Sequence, residues 1–190
     1  AASVTGSGTI WSATLSVSSV TPEGLASLLI VYKDVVGNAG TNVTASTDAS
    51  SVTVDVTPPS VTGVSIASNA VDPSMAVLGS VLIATLNVSE PIAAPAVTIA
   101  GLAASVSCAS NQCTATATVT AAVSNGAVSL SIGSLTDLSG NQGSGISGVT
   151  DGSSVTVNLA ALTLTTAQLR SSNNVNVYRA VVPDVVTLSL

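Results

Sequence analysis

Few side chains in this chain can do chemistry. Its 190 residues include nine acids, three basic residues, two cysteines and no histidine. Without an imidazole no Ser–His or Cys–His pair can form. The acids sit singly in turns and linkers, not as the facing carboxylates of a glycosidase. An enzyme would have little to work with, which leaves ligation and cross-linking. Cys108 and Cys113 flank ASNQ, a spacing that allows a disulfide across a hairpin tip; the alternative is two reduced, buried thiols. A metal site on the cysteines would need ligands that are absent. Asp55, Glu90, Asp137 and Asn141 supply hard oxygens of the kind Ca2+ takes, or else shape turns through side-chain-to-backbone bonds. Asn42-Val43-Thr44 and Asn87-Val88-Ser89 are glycosylation sequons, a motif short enough to arise by chance.

Composition limits the partners. Charged residues make up 6% of the chain and apolar ones 46%, with a net charge of −6. So little basic charge argues against nucleic acid, which needs clustered Lys and Arg, and against anionic membranes. The longest apolar candidate, 91–106, contains two prolines and a glycine, so no span of a bilayer is expected. Val, Ala, Leu and Ile interleaved with Ser and Thr suit pleated, half-buried strands. A surface of hydroxyls and amides fits a secreted protein, and a disulfide implies an oxidising compartment.

The elements that must position these residues repeat. DVVGNAG (34–40) returns as DLSGNQG (137–143), and TDASSVTVD (47–55) as TDGSSVTVN (150–158); Gly140 minus Gly37 is 103. AASV (1–4) matches AASV (103–106) and Gly24 matches Gly126, at an offset of 102. VSIASN (64–69) corresponds loosely to AQLRSS (167–172), and 76–86 to 180–190 at an offset of 104. Residues 58–158 therefore read as one whole module, 1–57 as the back of one (strands D–G) and 159–190 as the front of another (strands A–B). The segment 87–102 has no copy at either end.

Period-2 alternation marks the strands. CTATATVT (113–120) turns Cys113, Ala115, Ala117 and Val119 to one face, and its copy WSATLSVS (11–18) does the same with Trp11, Ala13, Leu15 and Val17. Seven strands are expected in the whole module, beginning near residues 61, 80, 96, 103, 113, 127 and 153, with the last able to start earlier and break at Thr150-Asp151-Gly152. Leu82, Leu86, Ile99, Val119, Leu130, Ile132 and Val155 should be buried. Gly, Pro and Asn interrupt every helical window. The expected fold is all-β, a tandem of immunoglobulin-like sandwiches.

SEPI (89–92), the DxxGN turns at 34–38 and 137–141, and VDVTPP (54–59) together resemble bacterial immunoglobulin-like repeats, the tandem domains of large secreted adhesins and other surface proteins. NLAALT (158–163) departs from VDVTPP, losing the acid and both prolines, so a looser second junction is expected. Pro58-Pro59 should stiffen the first linker. In such a sandwich the B–C and F–G loops share one end with the incoming linker, which would bring Asp55, Glu90, Asp137 and Asn141 together. The resemblance implies Ca2+ at such junctions as well.

The resulting expectation is a non-catalytic structural protein of the cell surface, an adhesin stalk or the subunit of an extracellular filament. The partners are copies of itself, joined head-to-tail by strand complementation, or adjacent modules of a longer chain. The alternative is a ligand- or carbohydrate-binding accessory module of a secreted protein. An inward Trp11 would leave that reading little aromatic surface.

Overall fold

Alternating β-branched and small side chains favour extended backbone. The computed structural model describes residues 2–176, 178–180, 183 and 185–189, and it is all-β, with no helix among the described residues. At the N-terminus β1 (Ser3–Ser7) pairs with β2 (Ile10–Thr14), and β3 (Gly24–Leu25) with β4 (Thr53–Val54).

Two four-stranded sheets dominate the central segment. One runs in the order β10 (Ser105–Ala109), β11 (Gln112–Thr118), β7 (Val81–Val88), β5 (Val61–Ser68). The other runs β16 (Ile146–Ser147), β13 (Leu130–Ile132), β8 (Val97–Ile99), β9 (Leu102–Ala103). The short strands β12 (Gly126–Ala127), β17 (Thr156–Val157) and β6 (Met75–Ala76) form a third sheet, and β14 (Leu135–Thr136) pairs with β15 (Gln142–Gly143). Inner residues of both large sheets pack into one apolar core, a sandwich-like arrangement. All seven residues expected in that core are buried, as are Val64, Ile66, Ile92, Val97 and Leu135.

The strand expected at 103–107 is divided. Leu102–Ala103 pairs with β8 in one sheet, while Ser105–Ala109 pairs with β11 in the other. The chain changes sheets at Ala104, whose N–H donates to the Val97 carbonyl. The last strand is broken too. Around the break, Thr150 and Ser153 lend their hydroxyls to the edge of β5: Val64 N–H donates to Thr150 Oγ1 at 2.7 Å and Ile66 N–H to Ser153 Oγ at 2.8 Å.

The sequence repeat is also a repeat of register. Central pairs Ser105↔Thr116 through Cys108↔Cys113 recur as Ser3↔Thr14 through Gly6↔Trp11, each number lower by 102. At the C-terminus β18 (Gln168–Ser171) pairs with β19 (Val186–Ser189). Its pairs Gln168↔Ser189, Leu169↔Leu188, Arg170↔Thr187 and Ser171↔Val186 repeat Ser65↔Thr85, Ile66↔Ala84, Ala67↔Ile83 and Ser68↔Leu82, with 103 added to the first number and 104 to the second. Even a closing bond recurs: Val81 N–H donates to Asn69 Oδ1, and Val185 N–H to Ser172 Oγ.

The terminal segments differ from the centre in burial. Trp11 is 63% exposed where its counterpart Cys113 is 1% exposed, and Leu15 is 63% exposed where Ala117 is 7% exposed. The expectation of an inward Trp11 is therefore corrected. It lies on the face that is inward in its counterpart, and among the described residues no second sheet covers that face.

Candidate functional site

The junction between β4 and β5 gathers the acids. Asp137 begins the loop between β14 and β15, where its Oδ1 accepts the N–H groups of Ser139, Gly140 and Asn141 at 2.8, 2.6 and 2.8 Å. Its Oδ2 accepts Asn141 Nδ2 at 2.8 Å. Gly140 has φ of 98°, a left-handed conformation that suits glycine, and Gly37 repeats it at 99°. Ile92, buried in the core, forms a β-bridge to Asp137 and so carries the neighbouring Glu90 to the same place. The linker arrives against Gly143, where a Cβ would lie 1.9 Å from the Pro59 carbonyl oxygen, so only glycine permits that approach. Asp55 is then held by Ser139, whose hydroxyl donates to Asp55 Oδ2 at 2.8 Å.

Asp55, Glu90 and Asp137 each present an oxygen, and these oxygens lie within 4.8 Å of one another. Ligand bonds of about 2.3–2.6 Å can span that separation, so the three carboxylates fit one Ca2+. Asn141 is hydrogen-bonded to two of these residues. Its Nδ2 donates to the Asp55 carbonyl at 3.2 Å as well as to Asp137, and two acceptors demand the amide's donor end. It braces the turn and ties the turn to the linker.

A fourth acid, Glu23, was missed in the sequence. Its Oε1 accepts Val56 N–H at 3.1 Å and the Thr57 hydroxyl. The repeat carried the only signal, because its counterpart Asn125 accepts Leu159 N–H at 2.7 Å in the same way. At the second linker both acids become amides, Asn125 for Glu23 and Asn158 for Asp55, yet Ala160 N–H still bonds Asn158 Oδ1 as Thr57 N–H bonds Asp55 Oδ1.

The basic residues, Lys33, Arg170 and Arg179, all lie outside residues 58–158 in the sequence. Desolvation, and then the charges of Asp55, Asp137 and Glu23, push the Glu90 carboxyl above its ordinary value. For Asp137 burial acts upward, but the bonds from Asn141, Gly140 and Ser139 outweigh it and hold the carboxyl below the usual range. Asp137 is only 4% exposed, so those bonds also satisfy a buried charge.

Cys108 and Cys113 are joined by a disulfide, facing each other across β10 and β11. Asn42 is exposed in the N-terminal segment. Asn87 is exposed on β7, with its Oδ1 accepting Gln112 Nε2 at 2.9 Å. No helix among the described residues is long and apolar enough to cross a membrane. Compared with protein-family models, with curated proteins and with solved structures, the chain finds no match.

Proposed function

We propose that the chain is a non-catalytic structural protein of the cell surface, built from immunoglobulin-like modules set end to end as an extracellular filament or adhesin stalk. The observation that carries this reading is the placement of the two linkers at opposite ends of the central sandwich. The incoming linker sits by the end of β7 at Val88, where Ser89 N–H donates to the Ser60 carbonyl at 2.9 Å. The outgoing linker leaves by the other end, where Asn158 N–H donates to the Ala76 carbonyl at 2.8 Å and Val77 N–H bonds Ser80 Oγ. Eight residues of strand separate those ends by about 23 Å. Load entering one junction leaves by the other along the strand direction. Pro58-Pro59, the seat on Gly143 and the Asn141 brace stiffen the first junction.

Ca2+ belongs to this reading. Held by Asp55 of the linker with Glu90 and Asp137 of the module, it would offset their repulsion and lock linker to sandwich. Small-angle scattering of the dilute chain with Ca2+ tests the shape. An elongated particle longer than one sandwich is expected, and a compact particle overturns the reading.

One observation favours the carbohydrate-binding alternative: Trp11, Tyr32 and Tyr178 are all exposed. The first two, however, stand where Cys113 and Leu135 are buried, which marks them as unfilled core positions. Glycan-array binding through Trp11 would favour the alternative.

A further inference from the structure

The two large sheets of the central segment have four outer edges, at β5, β9, β10 and β16. Three of them are closed. Thr150 and Ser153 bond the edge of β5, with Thr150 N–H donating in turn to the Val64 carbonyl at 2.9 Å. Strands β9 and β16 are two residues each, too short to template another strand. The fourth edge, β10, runs five residues with no charge, proline or glycine to blunt it. Among the described residues no strand lies on its far side.

The register names the backbone groups that face this open side. Val88 N–H donates to the Asn111 carbonyl, so Cys113 and Ala115 turn their backbone groups to β7, while Gln112, Thr114 and Thr116 turn theirs to β10. Those bonds use Ala109, Ser107 and Ser105, which leaves the N–H and carbonyl of Val106 and Cys108 pointing outward. The Cys108–Cys113 disulfide ties this edge strand to its one neighbour and keeps the outward row from fraying.

We propose that this edge is an interface between copies, β10 of one pairing antiparallel with β10 of a second about a two-fold axis at Ser107. That register sets Val106 opposite Cys108 of the other copy, and Cys108 opposite its Val106. Each pair exchanges both backbone bonds, so every outward group is used. Centring on Val106 would instead oppose Cys108 with Ala104, whose N–H is already given to the Val97 carbonyl. A peptide of another protein would need pockets for its alternate side chains, and Ser105, Ser107 and Ala109 are too short to wall any. An identical edge needs only the backbone. Charge selects the direction. The hairpin tip lies beside the acidic junction, where Asn111 Nδ2 donates to the carbonyl of Ser89, the neighbour of Glu90. Antiparallel pairing holds the acidic ends of two copies apart, whereas parallel pairing would set them side by side in a chain of net charge −6. The contact runs along the flank of the sandwich and does not need the end-to-end reading.

Sedimentation of the full chain over a range of concentrations should show a weak monomer–dimer equilibrium, since one strand pair buries far less than a standard interface. Val106→Pro removes an outward N–H and no bond to β11. It should keep the melting temperature within a few degrees and lose the dimer. A chain monomeric at every concentration, or a Val106→Pro variant that dimerises like its parent, overturns the proposal. Ser107→Cys tests the register without a proline. Under oxidising conditions it should give a dimer linked through position 107, several-fold more abundant than from Ser105→Cys or Ala109→Cys alone, because only Ser107 lies opposite itself. Mixing Ser105→Cys with Ala109→Cys should restore the link. Equal yields from the three single variants, or no such link in the peptide map, overturn the proposal. A compact particle by scattering would sink the end-to-end reading and leave the β10 dimer standing.

Discussion

Glu90 and Asp137 sit in one cluster and respond oppositely to pH. The folded-state value of Glu90 is raised, so ionisation works against the fold, and acidification from neutral relieves that penalty as the proton binds. The value of Asp137 is lowered, so its stabilisation is present above the ordinary carboxylate value and is lost as pH falls through the folded one. Glu90→Gln should therefore raise the melting temperature at neutral pH in chelator and remove the gain on mild acidification. It should also abolish any rise produced by Ca2+. Thermal melts across pH, with and without chelator, check this, and a lower melting temperature for Glu90→Gln in chelator would contradict it. In the core, Leu82→Ala should cost about 2–5 kcal/mol by denaturant titration, the usual range for a fully buried Leu. Single residues were unevenly legible. Alternation identified the inward residues of β11 and, on β7, Leu82 and Leu86, because a period of two leaves no other face for them. Ile92 and Leu135 escaped because they lie beside loops in stretches without alternation. Glu23 escaped because nothing local says that a linker passes beside it.

At the scale of elements, the hairpin β10–β11 has a cystine where β1–β2 has Gly6 opposite Trp11, and both hold the same register. The disulfide therefore pins a hairpin that forms without it. Replacing both cysteines by Ala, which buries no hydroxyl at Cys113, should leave the fold intact at a cost of about 2 kcal/mol, the entropy of a very short loop. Loss of the fold in urea titrations of that variant would contradict this. Gly143→Val meets the Pro59 carbonyl and should cost about 1–3 kcal/mol while loosening the first linker, read as faster hydrogen exchange at Ser60. Unchanged exchange would show that the linker is not seated there. Strand existence was legible from hydroxyl and aliphatic alternation, but the sheet change at Ala104 was not. A strand that leaves one sheet for the other keeps its alternation, and only the partners differ. The convergence of Asp55, Glu90 and Asp137 was legible because alternating strand directions put those loops at one end. The place of Asn141 beside them was legible too, but its bonds were not, because an amide offers both a donor and an acceptor and only its neighbours decide which is used.

Among the described residues, one apolar core lies between residues 64 and 157, and the large apolar residues of the terminal segments are exposed. Leu15→Ala should change unfolding by no more than about 0.5 kcal/mol in denaturant titration, as for an exposed site. A loss of about 2–5 kcal/mol would place Leu15 in a covered core. Amides replace acids at the second linker, so that linker should tolerate chelator better than the first junction does. The most direct measurement of the end-to-end reading is electron microscopy of the purified chain over a range of concentrations. Extended particles of sandwiches set end to end are the expected result; separate round particles at every concentration would contradict it.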